Sequence, residues 1–185
     1  MLLHMDCSIV DLSTLTEGQR AESARILREA LPWTDFAEPG AAEAEVVKTI
    51  ADEDRSGLVA LDGDRVLGWI GVIETYSHAW ELHPLAVDPP CQRRGIGGRL
   101  LAALEARVRA AGIITLYLGT DDETDGTNLY GRELFPNVLQ AAAEIAPTGG
   151  HAFTFYRRHG YQVVGVMPHA NGFGRPDIFM AKRIG

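Results

Sequence analysis

A short apolar strand, Leu85-Ala86-Val87, runs into a turn and then into a basic, glycine-rich hexamer, Gln92-Arg93-Arg94-Gly95-Ile96-Gly97. An amphipathic helix follows, predicted over residues 97–111, with Leu100, Leu101, Leu104 and Val108 on one face and Gly112 as its stop. A helix start leaves backbone N–H groups unpaired, with the positive end of the helix dipole behind them. Glycines let a polyanion approach that backbone closely. Two arginines add charge. The stretch therefore reads as a pyrophosphate cradle fed by a strand. The plainer reading is a tight turn, a helix start and two surface arginines. A Walker loop is excluded because no G-x-x-x-x-G-K-[ST] occurs. The spacing of Gly95, Gly97 and Gly98 does not fit the G-x-G-x-x-G of a dinucleotide fold.

The chain has 185 residues, 46% of them hydrophobic, which suits one globular domain over 1–185 with a sizeable core. No apolar run approaches membrane-spanning length. The N-terminus lacks a secretory pattern, and Cys7 and Cys91 are too few for a disulfide framework, so a cytoplasmic location is expected. A net charge of −8 argues against nucleic acid and is compatible with a cationic substrate. No membrane partner is expected. His4, His78, His151 and His169 have no metal-ligand spacing, so no metal is expected.

Strands are predicted at Ile9-Val10, 57–61, 65–73, 79–87, 113–119, 161–167 and 178–180. Asp62-Gly63-Asp64 reads as a hairpin turn. Helices are predicted over 17–31, 42–51 and 153–159, with a further one inside 134–145. This order implies an α+β fold with a mixed sheet.

In a strand, alternate residues share a face, so Glu81, His83, Leu85 and Val87 line one side leading toward the hexamer. A carboxylate and an imidazole so placed can bind an ammonium and relay its proton. They can equally be a surface glutamate and a histidine that satisfies the sheet. Asp121, Asp122 and Glu123 follow the 113–119 strand and read either as a solvated loop tip or as affinity for a polycation.

The hexamer is similar to the Q/R-x-x-G-x-G/A signature of the GNAT superfamily of acyl-CoA-dependent N-acetyltransferases. Phe155-Tyr156-x-x-x-Gly160-Tyr161 resembles that family's F-Y-x-x-x-G-F segment, and the resemblance runs from about Gly57 to Ile184. WELHPLAV (80–87), YLGTDDE (117–123), HAFTFYRRHGY (151–161) and PHANGFGRPDIFMAK (168–182) resemble segments of chromosomal-type aminoglycoside 6'-N-acetyltransferases. The first 56 residues match loosely, mainly around Leu31-Pro32-Trp33, and the insert 124–150 matches poorly.

The resemblance implies a GNAT fold, a mixed and mostly antiparallel sheet flanked by helices. It implies acetyl-CoA as donor, with Gln92, Arg93, Arg94, Gly95, Ile96, Gly97, Gly98 and Arg99 around the pyrophosphate. The Leu85 N–H would meet the thioester oxygen, where such a donor is worth about 2.7–4 kcal/mol in the transition state. Backbone from Leu85 through Ala86 to Val87 would pair with the pantetheine arm once the sheet splays, helped by Pro84 or Pro89-Pro90. Glu81 and His83 would serve the amine, and Tyr156 would protonate the leaving thiolate or else be a packed core aromatic. Trp33, Glu74, Tyr76, Asp121 and Asp122 would line the acceptor side with Glu81 and His83. A homodimer is expected from the family. The function expected is acetyl transfer to the 6'-amine of an aminoglycoside. Another amine, or a non-catalytic acyl-CoA-binding module, are the rivals.

Overall fold

The computed structural model describes residues 7–185, so His4 lies outside them. These residues form two compact units, one reaching to Ile114 and including Ile184–Gly185, the other spanning Thr115–Arg183. In chain order the first unit holds β1 (Ser8–Asp11), α1 (Glu17–Ala30), α2 (Ala41–Ala51), β2 (Arg55–Asp62), β3 (Arg65–Ile73), β4 (Ala79–Val87) and α3 (Ile96–Ala110). The second holds β5 (Thr115–Asp121), α4 (Val138–Ala143), α5 (Phe153–Arg158), β6 (Gln162–Met167) and β7 (Asp177–Arg183).

In the first unit the strands lie in the order β1-β2-β3-β4, each pair antiparallel. Apolar side chains of α1 and α2, among them Ile26, Leu27, Ala42 and Val46, pack on Val59, Val66, Trp69 and Ala86 of the sheet. The α1 start is fixed by a capping box, in which Thr16 and Gln19 bond each other's backbone N–H. On α3, Leu100, Leu101, Leu104 and Val108 are all buried, as the spacing predicts. In the second unit the order is β5-β7-β6, again antiparallel.

The strand predicted over 113–119 instead occupies Thr115–Asp121. The reason is the end of α3. Ile113 N–H donates to Val108 O and Gly112 N–H to Arg109 O, the paired bonds of a Schellman cap. Ile113 is therefore committed to the helix terminus, where it is buried with Val108.

Candidate active site

Along β4, Leu82, Pro84 and Ala86 are buried, while Glu81, His83, Leu85 and Val87 are partly exposed. The alternation places those four on one face. A bulge interrupts the ladder with β3, where Ile70 pairs with Leu85 but Val72 pairs with Leu82. His83 and Pro84 thus oppose Gly71 alone, and proline at a bulge removes a donor that the ladder does not need.

His83 has neighbours that sequence reasoning missed. Its Nε2 lies 3.7 Å from Glu45 Oε1, on α2. The Phe36 ring sits 5.8 Å away, centroid to centroid, in a 3-10 turn at Asp35–Ala37. Glu45 is in turn bonded by Arg55 Nη1 at 2.7 Å.

After β4 the chain turns on Asp88, a buried carboxylate. Arg65 of β3 donates to its Oδ2 at 2.7 Å, and Arg25 of α1 donates to its Oδ1 at 3.3 Å. Asp88 O also accepts from Cys91 N–H at 2.7 Å, closing the 3-10 turn Pro89–Cys91. Pro89-Pro90 belong to that turn. Gln92 then folds back, its Nε2 donating to Val87 O at 3.1 Å. The strand end and the hexamer are thereby locked together.

Arg93 adopts a positive φ of 58° and Gly95 one of 86°. Gly95 is the N-cap of α3, which starts without a side-chain cap. The first bond into the helix runs from Arg99 N–H to Gly95 O, so the N–H groups before it form the open end of the helix. Arg93, Arg94 and Gly95 are exposed, whereas Ile96 is buried and anchors the turn. A Cβ added at Gly95 would meet nothing within 4 Å, so the protein leaves that side of the backbone bare. Gly97 and Gly98, half-buried, follow in the first turn of α3. Arg99 donates through Nη2 to Cys7 O at 2.6 Å. A basic, uncapped helix start of this kind suits a pyrophosphate.

Trp33 and Tyr76 are exposed. Glu74 N–H donates to Asp54 O, which ties the β3 end to the β2 approach.

In the second unit, Tyr156 on α5 is buried. Its position is set by the helix end. Tyr161 N–H donates to Tyr156 O and Gly160 N–H to Arg157 O, a second Schellman cap that needs the φ of 89° at Gly160. The cap brings the Tyr161 ring edge-on to Tyr156 at 5.7 Å. The F-Y-x-x-x-G-Y segment is thus a helix terminus that fixes one tyrosine against another. Burial pushes the Tyr156 phenol above its ordinary value, which keeps it a protonated donor at neutral pH.

The three acidic residues at the end of β5 and just beyond it separate. Asp121 is partly exposed, and its Oδ1 accepts from Asn171 Nδ2 at 2.6 Å. Glu123 is paired with Arg175 at 2.8 Å. Asp122 corrects the expectation of a substrate-binding carboxylate. It is fully buried, and its oxygens accept from Gly126 N–H, Thr127 N–H and the Thr127 hydroxyl. Its charge holds the start of the insert and cannot face a ligand. Asp122→Asn is expected to lose about 1–3 kcal/mol of stability, since an amide turned toward these donors leaves one unsatisfied. Urea denaturation checks this, with KM for the acceptor unchanged in the folded variant.

His151 also braces this insert, its Nε2 bonded to Asp121 O and its Nδ1 accepting from Phe153 N–H. His169 Nδ1 accepts from Gly174 N–H, and its Nε2 faces Glu133 at 3.2 Å. Among the described residues no group of His, Cys, Asp or Glu is arranged to hold a metal, and no helix is long and apolar enough to cross a membrane.

Residues 23–135, more than half the chain, match the Acetyltransferase (GNAT) family. A solved aminoglycoside 6'-N-acetyltransferase complexed with coenzyme A is 37% identical, covers 96% of this chain and 97% of its own, and superposes with a TM-score of 0.88. The aminoglycoside 6'-N-acetyltransferase from Enterococcus faecium is 36% identical with the same coverage and a TM-score of 0.85. The N-alpha-acetyltransferase RimI of Mycobacterium tuberculosis is 27% identical over 84% of this chain and 96% of its own length. With its uncapped, basic helix start after β4 and its α+β order of strands and helices, the chain belongs to the GNAT family of acetyltransferases.

Proposed function

We propose that this GNAT acetyltransferase moves the acetyl group of acetyl-CoA to the 6'-amine of an aminoglycoside by direct attack in a ternary complex. The whole chain acts as one catalytic domain. The observation that carries the reading is the full-length likeness, at 37% and 36% identity, to two proteins with that activity in their names.

Acetyl-CoA fits the first unit. The open N–H groups at Ile96, Gly97 and Gly98, with Arg93 and Arg94, take the pyrophosphate. The backbone from Leu85 to Val87 takes the pantetheine arm, and the Leu85 N–H meets the carbonyl oxygen as charge develops there. Bound acetyl-CoA supplies an activated acyl carbon and a thiolate leaving group. Glu81 and His83, on the same face of β4, bind the acceptor ammonium and take its proton. The amine nitrogen then bonds the carbonyl carbon as the C–S bond breaks. Tyr156, kept protonated by burial, gives its proton to the departing sulfur and is restored by the second proton, which the new amide nitrogen sheds. Asp121 attracts the acceptor's other ammonium groups, and Trp33, Glu74 and Tyr76 serve as walls for its rings.

The test is thiol release by the purified protein with acetyl-CoA and a panel of amines. Kanamycin-like compounds bearing a 6'-amine should be acetylated, and analogues with a 6'-hydroxyl should not. Asp121→Asn should raise KM for the aminoglycoside about fivefold and leave KM for acetyl-CoA unchanged, the loss expected for one charged contact. The likeness to RimI supports a second reading, a protein α-amine as acceptor. Turnover of an N-terminal peptide with none on any 6'-amino aminoglycoside would replace the first reading by the second.

A further inference from the structure

The face of β4 that carries His83 is not bordered by solvent alone. Two groups stand against the imidazole, and two more lie behind them or on the same strand face. Glu45 reaches it from α2, at 3.7 Å from Nε2. Phe36 leans on it from the 3-10 turn, its ring tilted by 50°. Arg55 of β2 lies behind Glu45, and Glu81 shares the strand face. The Glu45 and Arg55 side chains are each only 11% exposed.

Glu45 Oε1 is held at two points besides the histidine. Arg55 Nη1 donates to it at 2.7 Å, and Thr49 Oγ1 lies 3.5 Å away. The same oxygen is the one that faces His83. Arg55 is not reserved for Glu45, because its Nε lies 3.9 Å from Asp52 Oδ2. Two carboxylates thus share one guanidinium, and the cluster keeps a net negative charge beside the imidazole. A 3.7 Å separation is too long for a hydrogen bond and short enough for an ion pair. The contact strengthens only when the imidazole carries a proton.

We propose that Glu45, fixed by Arg55, is a positioning residue for acetyl transfer: it stands as the ion-pair partner that holds His83 in place while the imidazole carries the acceptor's proton. The proposal rests on the acetyltransferase reading and not on which amine is the acceptor. In the step concerned, an N–H bond of the ammonium breaks and an N–H bond forms on the imidazole. The freed amine lone pair attacks the thioester, and the imidazolium later returns its proton to water.

A purely structural Glu45 would do no more than tie α2 to β2 through Arg55. A double-mutant cycle with His83 separates the two roles. The assay uses the full chain, acetyl-CoA and whichever amine the panel shows to be turned over. Glu45→Gln keeps size and a carbonyl acceptor for Arg55 and removes the charge. It should lower kcat roughly tenfold, a typical coupling for charged neighbours, with KM for acetyl-CoA unchanged. In the His83→Ala background the same change should lower kcat by less than about twofold. Equal effects of Glu45→Gln in both backgrounds, or an unchanged kcat in the single variant, would overturn the proposal. Loss of activity on every amine in the unmodified protein would instead sink the acetyltransferase reading. Glu45→Ala is a poorer probe, since it strands Arg55; the melting temperature of the Gln variant confirms that it is folded.

Discussion

Gly95→Asp is expected to abolish acetyl-CoA binding, read by calorimetry as a loss of roughly 100-fold or more in affinity. Three effects add at this position. The φ of 86° is one that side chains other than glycine adopt at a cost of about 1–2 kcal/mol. The new carboxylate would project from the N-cap of α3 into the space that the protein leaves bare. There it would meet the same helix-end field that draws a pyrophosphate, and it would repel the phosphates as they arrive. A negative charge at a helix N-terminus favours folding, so the variant should stay folded while binding fails. Gly95→Ala carries the backbone strain without the charge and should lose far less. A folded Gly95→Asp protein with unchanged affinity would remove the hexamer from the cofactor site.

The parts of this chain that were legible in its sequence are those governed by local rules. The β4 bounds follow from alternation between Leu82, Pro84, Ala86 and their outward neighbours. The α3 face follows from Leu100, Leu101, Leu104 and Val108, and the hexamer from its glycines. What stayed hidden is what distant chain segments supply. Asp88 is clamped by Arg25 and Arg65, 63 and 23 residues away, and nothing in V-D-P-P announces either partner. Glu45 reaches His83 from a helix whose charged residues look solvated in sequence. Asp122 is a different case. In a run of acids it reads as one of several exposed charges, yet the chain folds back so that Gly126 and Thr127 donate to it. An Asp a few residues before Gly-Thr is a signal for such a turn and could have been weighed against the charge run. Asn171, by contrast, lies in the segment 168–182 singled out by the resemblance, and only its contact with Asp121 needed the fold.

Tyr156→Phe is expected to lower turnover by about 10²–10⁴-fold while leaving acetyl-CoA affinity unchanged, the usual share of a general acid. The structure argues for so clean a split because the ring is held by contacts that the substitution keeps. Tyr156 packs edge-on against Phe155 at 5.1 Å and against Tyr161 at 5.7 Å, and the Schellman cap at Gly160 fixes its backbone. Phenylalanine retains that packing and loses only the hydroxyl. Burial raises the phenol above its ordinary value, so it remains protonated throughout the neutral and mildly alkaline range. A phenol raised in this way is a weaker acid than the thiol it would form, so its proton passes only in concert with C–S cleavage and with return of a proton from the new amide nitrogen. The loss should therefore be flat in pH below about 10, the ordinary tyrosine value, and should not be recovered by lowering the pH. Single-turnover kinetics is the measurement, since product release could otherwise mask the chemical step. An unchanged single-turnover rate would make Tyr156 a packing residue at the end of α5. The protonation of the thiolate would then fall to water or to another side chain.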